Sequence, residues 1–496
     1  LLLSYEEASI KYCVIPVRFA GKTTRRNPRR YPFSELVANG LSASMNLLSR
    51  KASPIRLLLL LAVLLPLAWF AWQRSQFNSR LSNALRLIGN QENFWAIESL
   101  RKTEQQFGFH PETSLLMARS NRYLGKSDEF RRSLDHAIDA GLPAKRAQQE
   151  ELLYKAQRGE LPDVVLQMSK LMQESEDQFE AAAIALSYGL LVRNDYAGIN
   201  DVLMLWQSHD PKSPWIPLFR GMISLSRRDW KGARDLLEPA RESNPSFVPF
   251  YANLGTAYLG LNESEKAVRV LERYLESLPD DEDASLKLAS ALRQSGRSQE
   301  ALQVLVRVVP KGEPPHDIAL EIAKINVENG ESIQAIDRLA GIARSWPEDV
   351  PVATVLSQAY QQLGDEEKAT RYATIADEGQ KELTSADTKL FALLSQPQRS
   401  AQACYELGHI LLHKQSRLNG VYWLEAALNI DEGYVPAHID MAIFYTRTNQ
   451  PQLAAVHQRY IDRSQNTDRP NNTGGKNGSG ASDPGNTQNP TGSSQP

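Results

Sequence analysis

Two histidines, His409 and His413, stand four residues apart in a stretch that reads as helix. Residues i and i+4 share a helix face, so both imidazoles could reach one metal ion. No third ligand is evident beside them, and Cys404 falls on the packing side of the same helix. The sequence therefore predicts groove-lining or solvated histidines and no metal site. Cysteine chemistry has little to work with, because Cys13 and Cys404 are the two cysteines of a 496-residue chain. They form neither a disulfide framework nor a thiolate cluster. The acidic run Asp280-Asp281-Glu282-Asp283 follows Pro279 at a helix start. Carboxylates there complement the positive end of the helix, which is a structural role. Ala20-Gly21-Lys22-Thr23-Thr24 looks like half a phosphate loop, but the full motif needs glycine where Pro16 stands. There is no His-Glu-x-x-His, no G-x-S-x-G, no G-x-G-x-x-G and no calcium loop. The expectation is a non-enzyme with no catalytic residues, no cofactor and no small-molecule substrate.

Composition agrees with that. The chain is 42% apolar and 23% charged with a net charge of −2, so it lacks the basic excess that replaces counterions around phosphates. Nucleic acid is not an expected partner.

The N-terminal quarter carries a membrane signal. Leu57 to Trp72 is an unbroken apolar run of sixteen residues behind Arg50, Lys51 and Arg56, with Trp69 and Trp72 at its far end. Indoles favour the membrane interface, and a basic flank stays in the cytoplasm. The run falls between a signal-peptide core of about 7–15 residues and a spanning helix of about 17–25. Small-x-small cleavage sites are missing, because Ala71 has Trp69 two places before it and Ala68 has Pro66. The favoured reading is an uncleaved, single-pass signal anchor over 45–74. It places the basic flank in the cytoplasm and everything after Gln73 outside it, at a bacterial inner membrane. The alternative is a cleaved signal that releases a soluble exported protein. Residues 1–44 read as a basic tail, or as an extension upstream of a true start at Met45.

The rest of the chain repeats. Ala233, Ala267, Ala301, Ala335 and Ala369 are each 34 residues apart, as are Gly296, Gly330 and Gly364. After a one-residue slip the period continues backwards through Gly198, Val164, Phe130 and Ala96. Residues 251–258, Tyr-Ala-Asn-Leu-Gly-Thr-Ala-Tyr, followed by Ala267, Leu271, Tyr274 and Pro279, closely resemble the tetratricopeptide pattern W-x2-L-G-x2-Y…A-x3-F…P. The resemblance implies an all-α fold: a right-handed superhelical solenoid of antiparallel helix pairs, A and B, about eleven in number, preceded by the single N-terminal anchor helix. Neither helix of a pair can bury its apolar face alone, so neighbours stack into one core. The small residue of helix A (Gly221, Gly255, Ala289, Ala323) is expected to meet the alanine early in helix B. Glycines between the helices supply left-handed residues. Pro245, Pro279 and Pro347 stop the B helices.

The expected organisation is divergent repeats over 77–213, clear repeats over 214–383, an irregular helical linker over 384–399 and a C-terminal pair over 400–467. A disordered polar tail follows over 468–496. In the divergent part, Phe130 and Val164 replace the small residue of helix B, which predicts looser or differently tilted packing.

The resemblance also implies that helix A lines a concave groove for proteins or peptides. The register puts Trp215, Phe219, Met222, Asn253, Thr256, Lys287, Ser290, Arg293, Glu321, Lys324, Gln358, Gln361 and Gln362 there. Packing of Trp215, Phe219 and Met222 against the preceding repeat is the competing reading. The lysine–asparagine–arginine clamp of some family members is not visible, since Ala252 and Thr256 occupy its positions. Only Asn253 fits the asparagine ladder of others. The expected role is an envelope interaction scaffold. An enzyme hidden in 77–213 or around His409 is the remaining rival.

Overall fold

The computed structural model describes residues 54–161, 164–174, 176–309, 314–395 and 399–467, with side chains from Leu61 onward. The expectations for the basic tail, Met45, the half phosphate loop, Cys13 and the polar tail lie outside these residues.

Among the described residues every regular element is a helix, twenty-two in all. The described residues divide into two units, one ending at Gln76 and the other starting at Phe77. In the first, the part of helix Pro54–Gly89 up to Gln76 carries the apolar run. Leu61, Val63, Leu64, Leu65, Leu67, Trp69, Phe70 and Trp72 are all exposed on it. Among the described residues no helix is long and apolar enough to cross a membrane. The sixteen-residue run begins four residues before the first described side chain.

In the second unit the helices pair off at the predicted period. The end of Pro54–Gly89 faces Asn93–Phe107, and ten further A/B pairs follow, ending in Val435–Arg447 and Pro451–Thr467. From Trp215 to Gln362 each A helix packs on its own B helix and on the next A helix, as stacking of amphipathic pairs requires. Gly296, Gly330 and Gly364 have φ between 75° and 80° at the A–B turn. The same conformation is taken by Asn194, Arg228 and Asn262, so the turn geometry is kept where glycine is absent.

Three expectations need correction. A Cβ on Gly221 would lie 2.6 Å from Leu237, and one on Gly255 would lie 2.5 Å from Leu271. The side chain seated on the glycine is thus a leucine one turn beyond the alanine. Second, residues 384–395 form no separate irregular linker. They continue helix Glu366–Ser395, and Leu383, Ala386 and Leu393 are buried in a core shared with the C-terminal pairs. An apolar stripe that finds a second surface lets the helix run on past its own unit. Third, of the two alternatives expected at the bulky positions, looser packing does not hold. Phe130 and Val164 are buried, and Phe130 stacks on Tyr154 at 4.4 Å. Divergence also appears in length, since helix Val165–Leu171 has only 7 residues.

Contacts also reach far beyond neighbouring repeats. Trp95 Nε1 donates to the Glu276 carbonyl at 3.0 Å. Arg399 donates to the carbonyls of Arg193 and Asn194 at 2.9 and 2.7 Å. Tyr422 Oη donates to the Val192 carbonyl at 2.5 Å. These bonds close the array on itself.

Candidate functional site

The residues expected in the groove divide into three groups. Trp215 and Phe219 are fully buried, so they belong to the core and not to a binding surface. They stack on each other at 5.9 Å, and Trp215 meets the rings of Tyr123, Tyr188 and Phe247. Met222 is half-buried against the same core. Asn253 and Thr256 are half-buried and turn back to their own helix, donating to Pro249 O at 2.8 Å and Ala252 O at 3.2 Å. Ser290 is half-buried as well.

The second group is a polar ladder. Lys287 pairs with Asp283 at 2.5 Å. Arg293 reaches Glu321 at 2.7 Å and Glu328 at 2.6 Å, and Lys324 reaches the other oxygen of Glu321 at 3.1 Å. Burial works against the Arg293 charge, but the two glutamates win and raise its pKa. Gln362 donates to the Val327 carbonyl at 3.1 Å. In the third group, Gln358 and Gln361 are exposed.

Sequence reasoning missed the turn Trp346-Pro347-Glu348-Asp349. Asp349 is buried and caps helix Val350–Gln362 through Val352 N at 2.8 Å. The same carboxylate pairs with Arg417 and lies 3.1 Å from His316 Nε2. Burial lowers the pKa of the Arg417 guanidinium, against the pull of Asp349. Arg417 and Arg447 lie over the Trp346 ring at 4.9 and 4.6 Å. The turn thus receives two C-terminal arginines.

Beside it, a cleft of about 240 Å³ is lined by Trp346, Pro347, Glu348, His409, His413 and Arg447. His409 and His413 do share one face, with ring centroids 4.7 Å apart. The side chain that sequence reasoning did not find is Asp440, on the next A helix. Its Oδ2 lies 2.6 Å from His409 Nδ1 and its Oδ1 3.4 Å from His413 Nε2. Burial pushes the Asp440 carboxyl up, but the two histidines hold it below its usual range. The bond to Asp440 in turn raises the pKa of His409. The available signal was an acidic residue 31 positions on (440 − 409), one repeat less about one turn. Cys404 is buried in the core, and burial raises its thiol pKa. The acidic run is used as expected: Asp281 caps its helix through Ala284 N at 2.9 Å.

A family model described as tetratricopeptide repeat matches residues 224–284. That match lies within the block where the period is clearest. Residues 315–404 match a family of unknown function, DUF6584. No curated protein matches the chain. Among solved structures, the APC/C hetero-tetramer Cut9–Hcn1 is similar at 14% identity, over 80% of this chain and 82% of that one, with a TM-score of 0.30. A tetratricopeptide repeat protein from Parabacteroides merdae matches at 14% identity over 57% and 99%, with a TM-score of 0.27. A human IFIT1 dimer with PPP-AAAA matches at 12% over 76% and 94%, with a TM-score of 0.31.

Proposed function

We propose that this chain is a non-catalytic scaffold that holds other proteins or peptides along its A helices, tethered to a bacterial inner membrane with its repeats on the outer side. The scaffold reading rests on the tetratricopeptide match at 224–284, continued as helix pairs through residue 467. The binding strip runs from Lys287 and Arg293 past Glu321 and Lys324 to Gln358 and Gln361. Alternating charges and amides suit an extended polar segment, and the Arg293–Glu321–Lys324 ladder keeps those side chains in fixed positions. Photo-crosslinkers placed at Gln358 and Gln361, in membranes, should capture partners that a crosslinker at exposed Ile333 on a B helix does not. Equal capture from both faces would sink the groove reading.

The tether rests on the sixteen-residue apolar run and on the eight large apolar side chains exposed between Leu61 and Trp72. A soluble protein of this size would leave such a patch facing water at a large cost. Fractionation and protease protection test it. The chain should need detergent for release, and repeats 77–467 should be digested from the extracytoplasmic side. Recovery without detergent, with a new N-terminus near Ala71, would replace the anchor by an exported soluble binder.

A further inference from the structure

We propose that His409, His413 and Asp440 bind one divalent transition-metal ion of the zinc class at the mouth of the cleft beside Trp346. The donor set is two imidazoles and one carboxylate, the set that zinc, cobalt and nickel take up with a coordination position left over. The three ligand atoms all lie within 4.8 Å of one another. Bonds of about 2.0–2.1 Å to a tetrahedral ion place donors roughly 3.3 Å apart, so side-chain rotation suffices to close the set.

Placement favours the ion. His409 and His413 sit one turn apart on helix Ala401–Lys414, which fixes their spacing. Asp440 comes from helix Val435–Arg447, so the donors span two repeats. Its side chain is only 6% exposed, and its two oxygens face the two imidazoles. A carboxylate buried in this way needs positive charge beside it. The two imidazoles are its hydrogen-bond partners here, and a divalent ion would bring positive charge.

The surroundings are mixed in charge. Arg447 lines the cleft and opposes a cation, although its guanidinium lies over the Trp346 ring. Glu348 lines the same cleft and favours one. Lys414 is drawn away to Glu348 and Glu382, at 2.9 and 3.1 Å. The remaining position of the ion faces the cleft, where water or a donor from a docked protein can complete it. The ion would tie the last repeat, which has no described repeat stacked beyond it, to the one before.

The test uses the untagged, full-length protein stripped of metal and titrated with Zn²⁺ and Co²⁺ alone. One equivalent should bind, and cobalt should show the intense visible absorption of a four-coordinate site. Losing an outer-shell partner of a metal ligand costs about 10–100-fold in affinity. His409→Gln and His413→Ala each remove a direct ligand, so each should weaken binding by on the order of 100-fold or more. His457→Ala, at the separate His438–His457 pair, should leave binding unchanged. Zinc should also slow proteolysis of helix Pro451–Thr467 in the wild type and not in His409→Gln. Helical circular dichroism in EDTA checks that the variants fold. The proposal is overturned if the wild type binds no stoichiometric ion. It is also overturned if binding survives both ligand substitutions, or if His457→Ala abolishes it. The cobalt spectrum of the wild type decides the question even if a variant fails to fold.

Discussion

The repeats before residue 214 and those of the central block keep one period but are held by different contacts. In the centre, Gly221 and Gly255 each receive a leucine side chain. Toward the N-terminus, a Cβ on Gly189 would lie 2.0 Å from the carbonyl oxygen of Ala156, so one helix backbone rests on another. Charge is handled differently too. Arg119 and Arg122 converge on Glu150, which is buried with Arg122. Burial drives the Glu150 carboxyl up, and the two arginines overcome that and leave its pKa lowered. The central pair of Arg234 with Glu263 is much more open to solvent. A fixed spacing therefore specifies where helices go, and leaves open whether side-chain, backbone or ionic contacts secure them.

Four experiments test this contrast. Arg122→Ala should have the largest effect, because it strips a buried carboxylate of a partner and costs about 3–5 kcal/mol. Urea unfolding followed by hydrogen exchange should show the loss in peptides spanning 111–157. Arg234→Ala should have a much smaller effect, as solvent screens the exposed pair. Similar losses would erase the difference.

Acid should reproduce the first result reversibly. A carboxylate whose folded pKa is depressed adds stability above its unfolded value, about 4.5 for Glu150. That stability is lost as pH falls through the folded value. Exchange protection of 111–157 should fall below pH 4.5 before that of 249–294, and Glu150→Gln should narrow the difference, the rest resting on Glu112, which Arg146 also lowers. Simultaneous loss in both segments would contradict it.

The glycines sharpen the contrast further. Gly255→Ala displaces the end of a leucine and should cost roughly 1–3 kcal/mol. Gly189→Ala must separate two backbones and should reach or exceed the top of that range. Thermal melts of the two variants rank them, and the reverse order would refute the assignment of contacts.

The smallest effect is expected at Asn262, which holds φ 57° at a turn where other repeats use glycine. Asn262→Gly should be neutral or stabilise by no more than about 1 kcal/mol. A clear destabilisation would mean that the side chain, not the backbone, decides that turn.

The helix pairs were legible because the period places small residues, turn glycines and prolines where physics needs them. Gly255, Gly330 and Pro279 each carry that information alone. The groove was less legible. Trp215 occupies a register position that faces the groove in an open array, but here it meets Tyr123, and no local pattern shows two distant A helices meeting. Asp440 escaped for a related reason, since it joins His409 only through the stagger of adjacent repeats. Asp349 reads as an ordinary N-cap, and its pairing with Arg417 depends on contacts across the array.

Three of the donors that close the array share one property. Trp95, Arg399 and Tyr422 all donate to main-chain carbonyls, at Glu276, Arg193, Asn194 and Val192. Every residue type offers a carbonyl. Glu276, Arg193 and Val192 can therefore change their side chains without losing these bonds, while the donors cannot; Asn194 also reaches Tyr422 through its own side chain. Matched pairs of substitutions would not reveal these contacts, and single replacements of the three donors would.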